Sequence, residues 1–91
     1  LFNVSLKYSK SQGVEFYEKN NYEKAVPYFN YIIDYYPLEI GKYHAYLSVC
    51  YYRLNEIDKG YEHYIKAKSI IKDDYKLNTL DDLYSSKKVT Q

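Results

Sequence analysis

Apolar residues return along this chain with the spacing of helices that pack on one side, and nowhere with the sustained alternation of a strand. The clearest run covers residues 20–37, NNYEKAVPYFNYIIDYYP, in which Ala25, Tyr28, Phe29, Ile32 and Tyr36 share one side of a helix. Asn21 is the expected N-cap, Glu23 sits in the first turn where the helix dipole favours negative charge, and Pro37 is the expected stop. Pro27 forfeits one hydrogen bond, to Glu23, and is expected to bend this helix slightly. Further helices are predicted over residues 5–19, 39–54 and 56–72, the last with Ile57, Gly60, Tyr64, Ala67 and Ile71 on one face. Asp73 and Asp74 break that pattern, Asn78 is expected to cap a short final helix, and the tail SSKKVTQ is expected to fray. The fold class is all-α, with about five helices.

The helices come in two copies. A displacement of 35 residues lays Lys7 on Lys42, Tyr8 on Tyr43, Val14 on Val49, Tyr17 on Tyr52, Asn20 on Asn55 and Lys24 on Lys59. Phe16 then meets Tyr51, Phe29 meets Tyr64, and Ala25 meets Gly60, so turn falls on turn and small residue on small residue. Gly13, Ala25, Ser48, Gly60 and Ala67 allow helices to approach closely, and Phe16, Phe29, Tyr51 and Tyr64 fill the space between them.

This pattern resembles the tetratricopeptide repeat family, whose signature of W-x2-L-G-x2-Y, A-x3-F and a closing P has a period of 34 residues. Gly13, Phe16, Ala25, Phe29 and Pro37 carry the resemblance in the first copy, and Leu47, Ser48, Tyr51, Gly60, Tyr64 and Ala67 in the second. The chain departs from the signature at Ser9 and His44, where the family has tryptophan, at Gln12 in place of its first leucine, and at Lys72 in place of the second closing proline. The resemblance implies one domain over residues 1–91, an α-solenoid of antiparallel helix pairs with repeats at about 6–39 and 41–74 and a capping helix at about 78–88.

Lys7, Lys10, Val14 and Tyr17 share the other face of the first helix, as Lys42, Ala45, Val49 and Tyr52 do on the third. In tetratricopeptide arrays that face lines a concave groove that receives peptides, so the resemblance implies a protein-interaction module with a tyrosyl, apolar floor, lysines toward one end, and Glu18 and Arg53 at the other. The candidate binding residues are Lys7, Lys10, Val14, Tyr17, Lys42, Val49, Tyr52 and Arg53. A peptide with apolar anchors and an acidic group or free carboxylate fits such a surface. Some family members grip a peptide carboxylate with lysine and asparagine; Lys10 matches the lysine, but Val14 stands at the asparagine position, so that clamp is not expected. Replacing Tyr17 and Tyr52 together by alanine is expected to abolish capture of a partner while the helix signal in circular dichroism and the melting temperature hardly move. The bland alternative is that the lysines are simply solvated and the tyrosines cover a neighbouring core.

Composition narrows the remaining classes. At 91 residues with net charge +1, the chain lacks the basic excess of a dedicated nucleic-acid binder. Its one cysteine, Cys50, forms no intramolecular disulfide and is expected to pack as a small apolar group. His44 and His63 lie on different helices with no partner at a spacing that implies a dyad or metal site, and no phosphate-binding glycine loop occurs, so neither catalysis nor a cofactor is expected. No apolar run reaches the ~20 residues of a membrane span, and the N-terminal LFNVSLKYSK is not a signal peptide. A soluble chain is expected, its compartment open with the cytoplasm slightly favoured; the absence of an opening methionine suggests a fragment or a processed chain, and two repeats with a cap make a short array of the kind expected in a longer parent protein.

Fifteen tyrosines without tryptophan are the anomaly. An A+T-rich coding sequence produces such an excess by drift, whereas a recognition surface uses tyrosine for broad amphipathic contact at low entropic cost. The second functional class is accordingly an assembly element, in which Tyr31 and Tyr35 on the outer face of the second helix mediate self-association or docking onto a larger array.

Overall fold

The structure, a computed structural model, describes residues 5–36, 38–71 and 77–85. The chain is all-α, with helices α1 (Leu6–Glu18), α2 (Tyr22–Tyr35), α3 (Ile40–Arg53), α4 (Ile57–Ile70) and α5 (Asn78–Leu83). The roles expected of Pro37, Lys72, Asp73, Asp74 and residues 86–91 lie outside the described residues.

Helix ends follow from local chemistry, and here the structure corrects some details. Ser5 caps α1, its hydroxyl accepting the Tyr8 amide at 3.0 Å. At the other end of α1, Asn20 adopts a left-handed conformation with φ of 62°. Its amide donates to the Tyr17 carbonyl at 3.0 Å, and the Asn21 amide donates to the Phe16 carbonyl at 2.8 Å. This paired closure satisfies carbonyls that a helix end leaves bare. The same bonds recur after α3, where Asn55 has φ of 64°, its amide meets Tyr52 at 3.1 Å, and the Glu56 amide meets Tyr51 at 2.8 Å. Asn21 stands at the N-cap of α2, as the sequence predicts, but its side chain makes none of the expected capping bonds; its amide instead completes the preceding closure. Asn78 is not an N-cap, because the buried Leu77 holds that position and Asn78 begins α5.

Asparagine is the side chain that best tolerates left-handed backbone. Asn55→Ala is expected to destabilise the chain by about 1 kcal/mol and Asn55→Gly to leave stability unchanged or slightly raised, as read by urea denaturation.

Pro27 lies within α2 without ending it, and Tyr36 leaves the helix with extended backbone, φ −136° and ψ 88°, as the residue before a proline does.

Each helix packs on the next through α4, and α5 returns to α3. Ala25, Phe29 and Ile32 of α2 meet Tyr43, Leu47, Cys50 and Tyr51 of α3, while Val14, Phe16 and Tyr17 of α1 close over them. A methyl group on Gly13 would sit 2.8 Å from the Phe29 ring and 3.1 Å from Tyr28 Cβ, so the glycine sets how closely α1 and α2 approach. Cys50 packs as expected; burial pushes its thiol up to about 12, which removes the thiolate that reactivity requires.

A second cluster joins Tyr64 and Ala67 of α4 to Leu77, Leu80 and Tyr84. Its tyrosines find partners for their hydroxyls, as buried phenols must. Tyr84 donates to the Ser48 carbonyl at 2.7 Å. Tyr64 donates to the Asp81 carboxylate, which also receives Lys68 Nζ at 3.0 Å, so α5 is tied to both α3 and α4.

Candidate binding cleft

The outward stripe of α3 forms the floor of a concavity among the described residues. Lys42, Ala45 and Val49 recur at three- and four-residue steps, and Tyr46 flanks them. Tyr17 reaches in from α1, Leu77, Thr79 and Leu80 form a wall at the start of α5, and the α2–α3 connection contributes Leu38. Ile70 and Ile71, at the end of α4, complete a cleft of about 880 Å³. The surface is largely apolar, with Lys42 and Glu39 as its charged members.

Of the residues predicted to bind, Tyr17, Lys42 and Val49 come together in this cleft. Lys10 lies beside it but is engaged, its Nζ 2.6 Å from Glu39 Oε2. That hydrogen bond, reinforced by the nearby charge of Lys42, lowers the Glu39 carboxyl below its usual range. Lys10 and Lys42 also stand 6.0 and 5.7 Å from the centre of the Tyr43 ring, close enough for cation–π attraction. The lysine end of the surface thus carries a carboxylate that partly neutralises it.

The other predicted residues do not line the cleft. Lys7 is exposed elsewhere on α1, and Val14 is half-buried against the first cluster. Tyr52 meets the Tyr84 ring edge-on at 5.6 Å, and Arg53 lies over Tyr52 at 5.7 Å. The covering agent is α5, whose cluster also packs against Ala45 and Val49.

The tyrosines are structural as well as exposed to the cleft. Tyr17 packs against Tyr46 with ring centres 4.8 Å apart and against Phe29 at 6.2 Å. Burial accordingly pushes its phenol up to about 12. Removing Tyr17 and Tyr52 together therefore strips packing from both clusters, so the double change is expected to lower the melting temperature rather than leave it almost unmoved.

Sequence reasoning missed Tyr46, Leu38, the isoleucine pair and the α5 wall. Leu38 had a signal: it is a large apolar residue next to a predicted helix stop, and it is 81% exposed. The position of α5 had none, because its packing depends on the connection from α4.

A second juxtaposition was also missed. His44 Nδ1 of α3 and His63 Nδ1 of α4 are 2.8 Å apart, with the rings stacked and their centres 5.0 Å from one another. No group of three or more His, Cys, Asp or Glu suited to a metal ion occurs among the described residues. No helix among them is long and apolar enough to cross a membrane.

No protein-family model, curated protein or solved structure matches this chain.

Proposed function

We propose that this chain is a peptide-binding module of tetratricopeptide type, a short α-solenoid that receives an apolar, acidic segment of a partner protein in the α1–α3–α5 cleft. The observation that carries the reading is the cleft itself: about 880 Å³ of mainly apolar surface with Leu38 81% exposed and Ile70 45% exposed at its rim. Apolar side chains held in the open around a concavity are the usual mark of a recognition site. Lys42 supplies the cation for an acidic group. The matching hydrogen bonds after α1 and α3 support the repeat reading, since both turns close on asparagine in the same way. The role is non-enzymatic in this reading.

Selection of peptides from a random displayed library against the chain tests it. Leu38→Glu with Lys42→Glu is expected to weaken the selected peptides at least about tenfold, with the melting temperature nearly unchanged because both side chains are exposed. Selected peptides that bind the double variant as tightly as the parent chain would remove the cleft as the site.

A second reading, self-association, is favoured by Tyr35, 64% exposed and 4.9 Å from the Tyr31 ring on α2. Sedimentation across a range of concentrations decides it, and a strict monomer excludes it.

A further inference from the structure

The histidine pair at the α3–α4 junction lies apart from the cleft, whose lining includes neither ring. His44 is buried and His63 half-buried, and their Nδ1 atoms are at hydrogen-bonding distance, 2.8 Å. Such a contact requires one Nδ1 to carry a proton and the other to present a lone pair. Two neutral rings satisfy this, and so does a pair bearing one extra proton. Two charged rings do not, because both nitrogens then become donors facing one another.

We propose that His44 and His63 form an acid-sensitive latch, which holds α4 against α3 near neutral pH and releases it when the second ring must charge. The surroundings act in the same direction. From α4, Lys66 bears on both rings and Lys59 on His63, each adding positive charge. Lys59 is itself 3.5 Å from Glu56 and lies 5.2 Å over the Tyr51 ring. From α3, Tyr51 stacks on His63 with centres 5.4 Å apart, and from α2 Asn30 donates to the Tyr51 hydroxyl at 3.4 Å, which brings a dipole but no charge. Burial, then the neighbouring histidine and lysines, bring His63 down to about 4; burial and Lys66 lower His44.

The direction of the pH effect follows from linkage. Unfolded histidines titrate near ~6.5, so between that pH and about 4 the unfolded chain holds more protons than the folded one. The stability contributed by the neutral pair is complete above ~6.5 and is lost progressively as pH falls through this window. Ile70 and Ile71 of α4 line the cleft, so release of α4 also removes one of its walls. The latch itself does not depend on what the cleft binds.

Thermal unfolding of the chain at pH 7.5 and pH 5.0 tests the proposal in a range where exposed carboxylates stay ionised. A fall of about 5–10 °C in the parent chain is expected, and a much smaller fall in the His44→Gln, His63→Gln double variant. A parent chain whose melting temperature is flat over this range, or a double variant that keeps the full fall, overturns the latch. Should the variant fail to fold, NMR titration of the imidazole C–H resonances in the parent decides: the ring that charges second is expected to titrate well below ~6.5, and ordinary midpoints for both rings remove the proposal.

Discussion

Gly60→Ala is expected to lower the free energy of unfolding by about 2–4 kcal/mol, although alanine ordinarily favours a helix by about 1 kcal/mol over glycine. The added methyl would run into the Tyr84 hydroxyl, lie 2.9 Å from the Ser48 carbonyl oxygen and 3.3 Å from Tyr51 Cβ. Two of these neighbours resist displacement. The Ser48 carbonyl belongs to the backbone of α3, and the Tyr84 ring is 1% exposed and stacked on Tyr64 with centres 5.1 Å apart. The methyl therefore pushes apart the donor and acceptor of the 2.7 Å bond that ties the end of α5 to α3. The buried Tyr84 hydroxyl then loses its acceptor while the Ser48 carbonyl keeps only its bond within α3, and that loss, with the overpacking against backbone, outweighs the helix-propensity gain. Combining Gly60→Ala with Tyr84→Phe separates the contributions, since it removes the hydroxyl but leaves the Ser48 contact. Partial recovery in urea denaturation is expected. No difference between the single and double variants would show that the backbone contact alone sets the cost.

Gly60 also marks what could and could not be read from sequence. Its alignment with Ala25 identified a close helix contact, and the structure places it in one. That contact needs glycine rather than alanine because Tyr84 arrives from α5, twenty-four residues further on, by a connection whose path carries no periodic signal. The helices themselves were legible because a 3.6-residue pattern survives in any all-α chain of this composition. The turns were legible because Asn20 and Asn55 are the residues that left-handed backbone favours, and Asn21 stands at the N-cap of α2 as its position in the sequence predicts, though without the expected side-chain bond. The candidate site was harder. Assigning Val14, Tyr52 and Arg53 to a groove assumed that the outward stripes of α1 and α3 stay bare along their whole length. Tyr84 instead covers Tyr52, and Val14 turns into the first cluster. The histidine contact spans nineteen positions between two helices, where no spacing rule operates.

Phe29→Ala is expected to have the largest effect of any single side-chain truncation within the first cluster, about 3–5 kcal/mol. That is a large part of the 5–15 kcal/mol that stabilises an ordinary domain. Phe29 is fully buried at the meeting point of α1, α2 and α3. Its ring stacks on Tyr46 at 4.8 Å, lies 5.7 Å from Tyr43 and 6.2 Å from Tyr17, and sits where a Cβ on Gly13 would fall. Tyr17 and Tyr46 are cleft residues, so one buried ring supports both the core and the surface proposed to bind a peptide. The truncation should accordingly reduce binding even at temperatures where the variant remains folded. A filling control sharpens this: Phe29→Leu restores much of the volume and should recover more stability than binding, because leucine offers no flat face for Tyr46. Thermal denaturation with peptide titration at a temperature well below the transition measures both quantities. Equal recovery of the two by leucine would mean that the cleft needs only a filled core beneath it, and not the stacked ring.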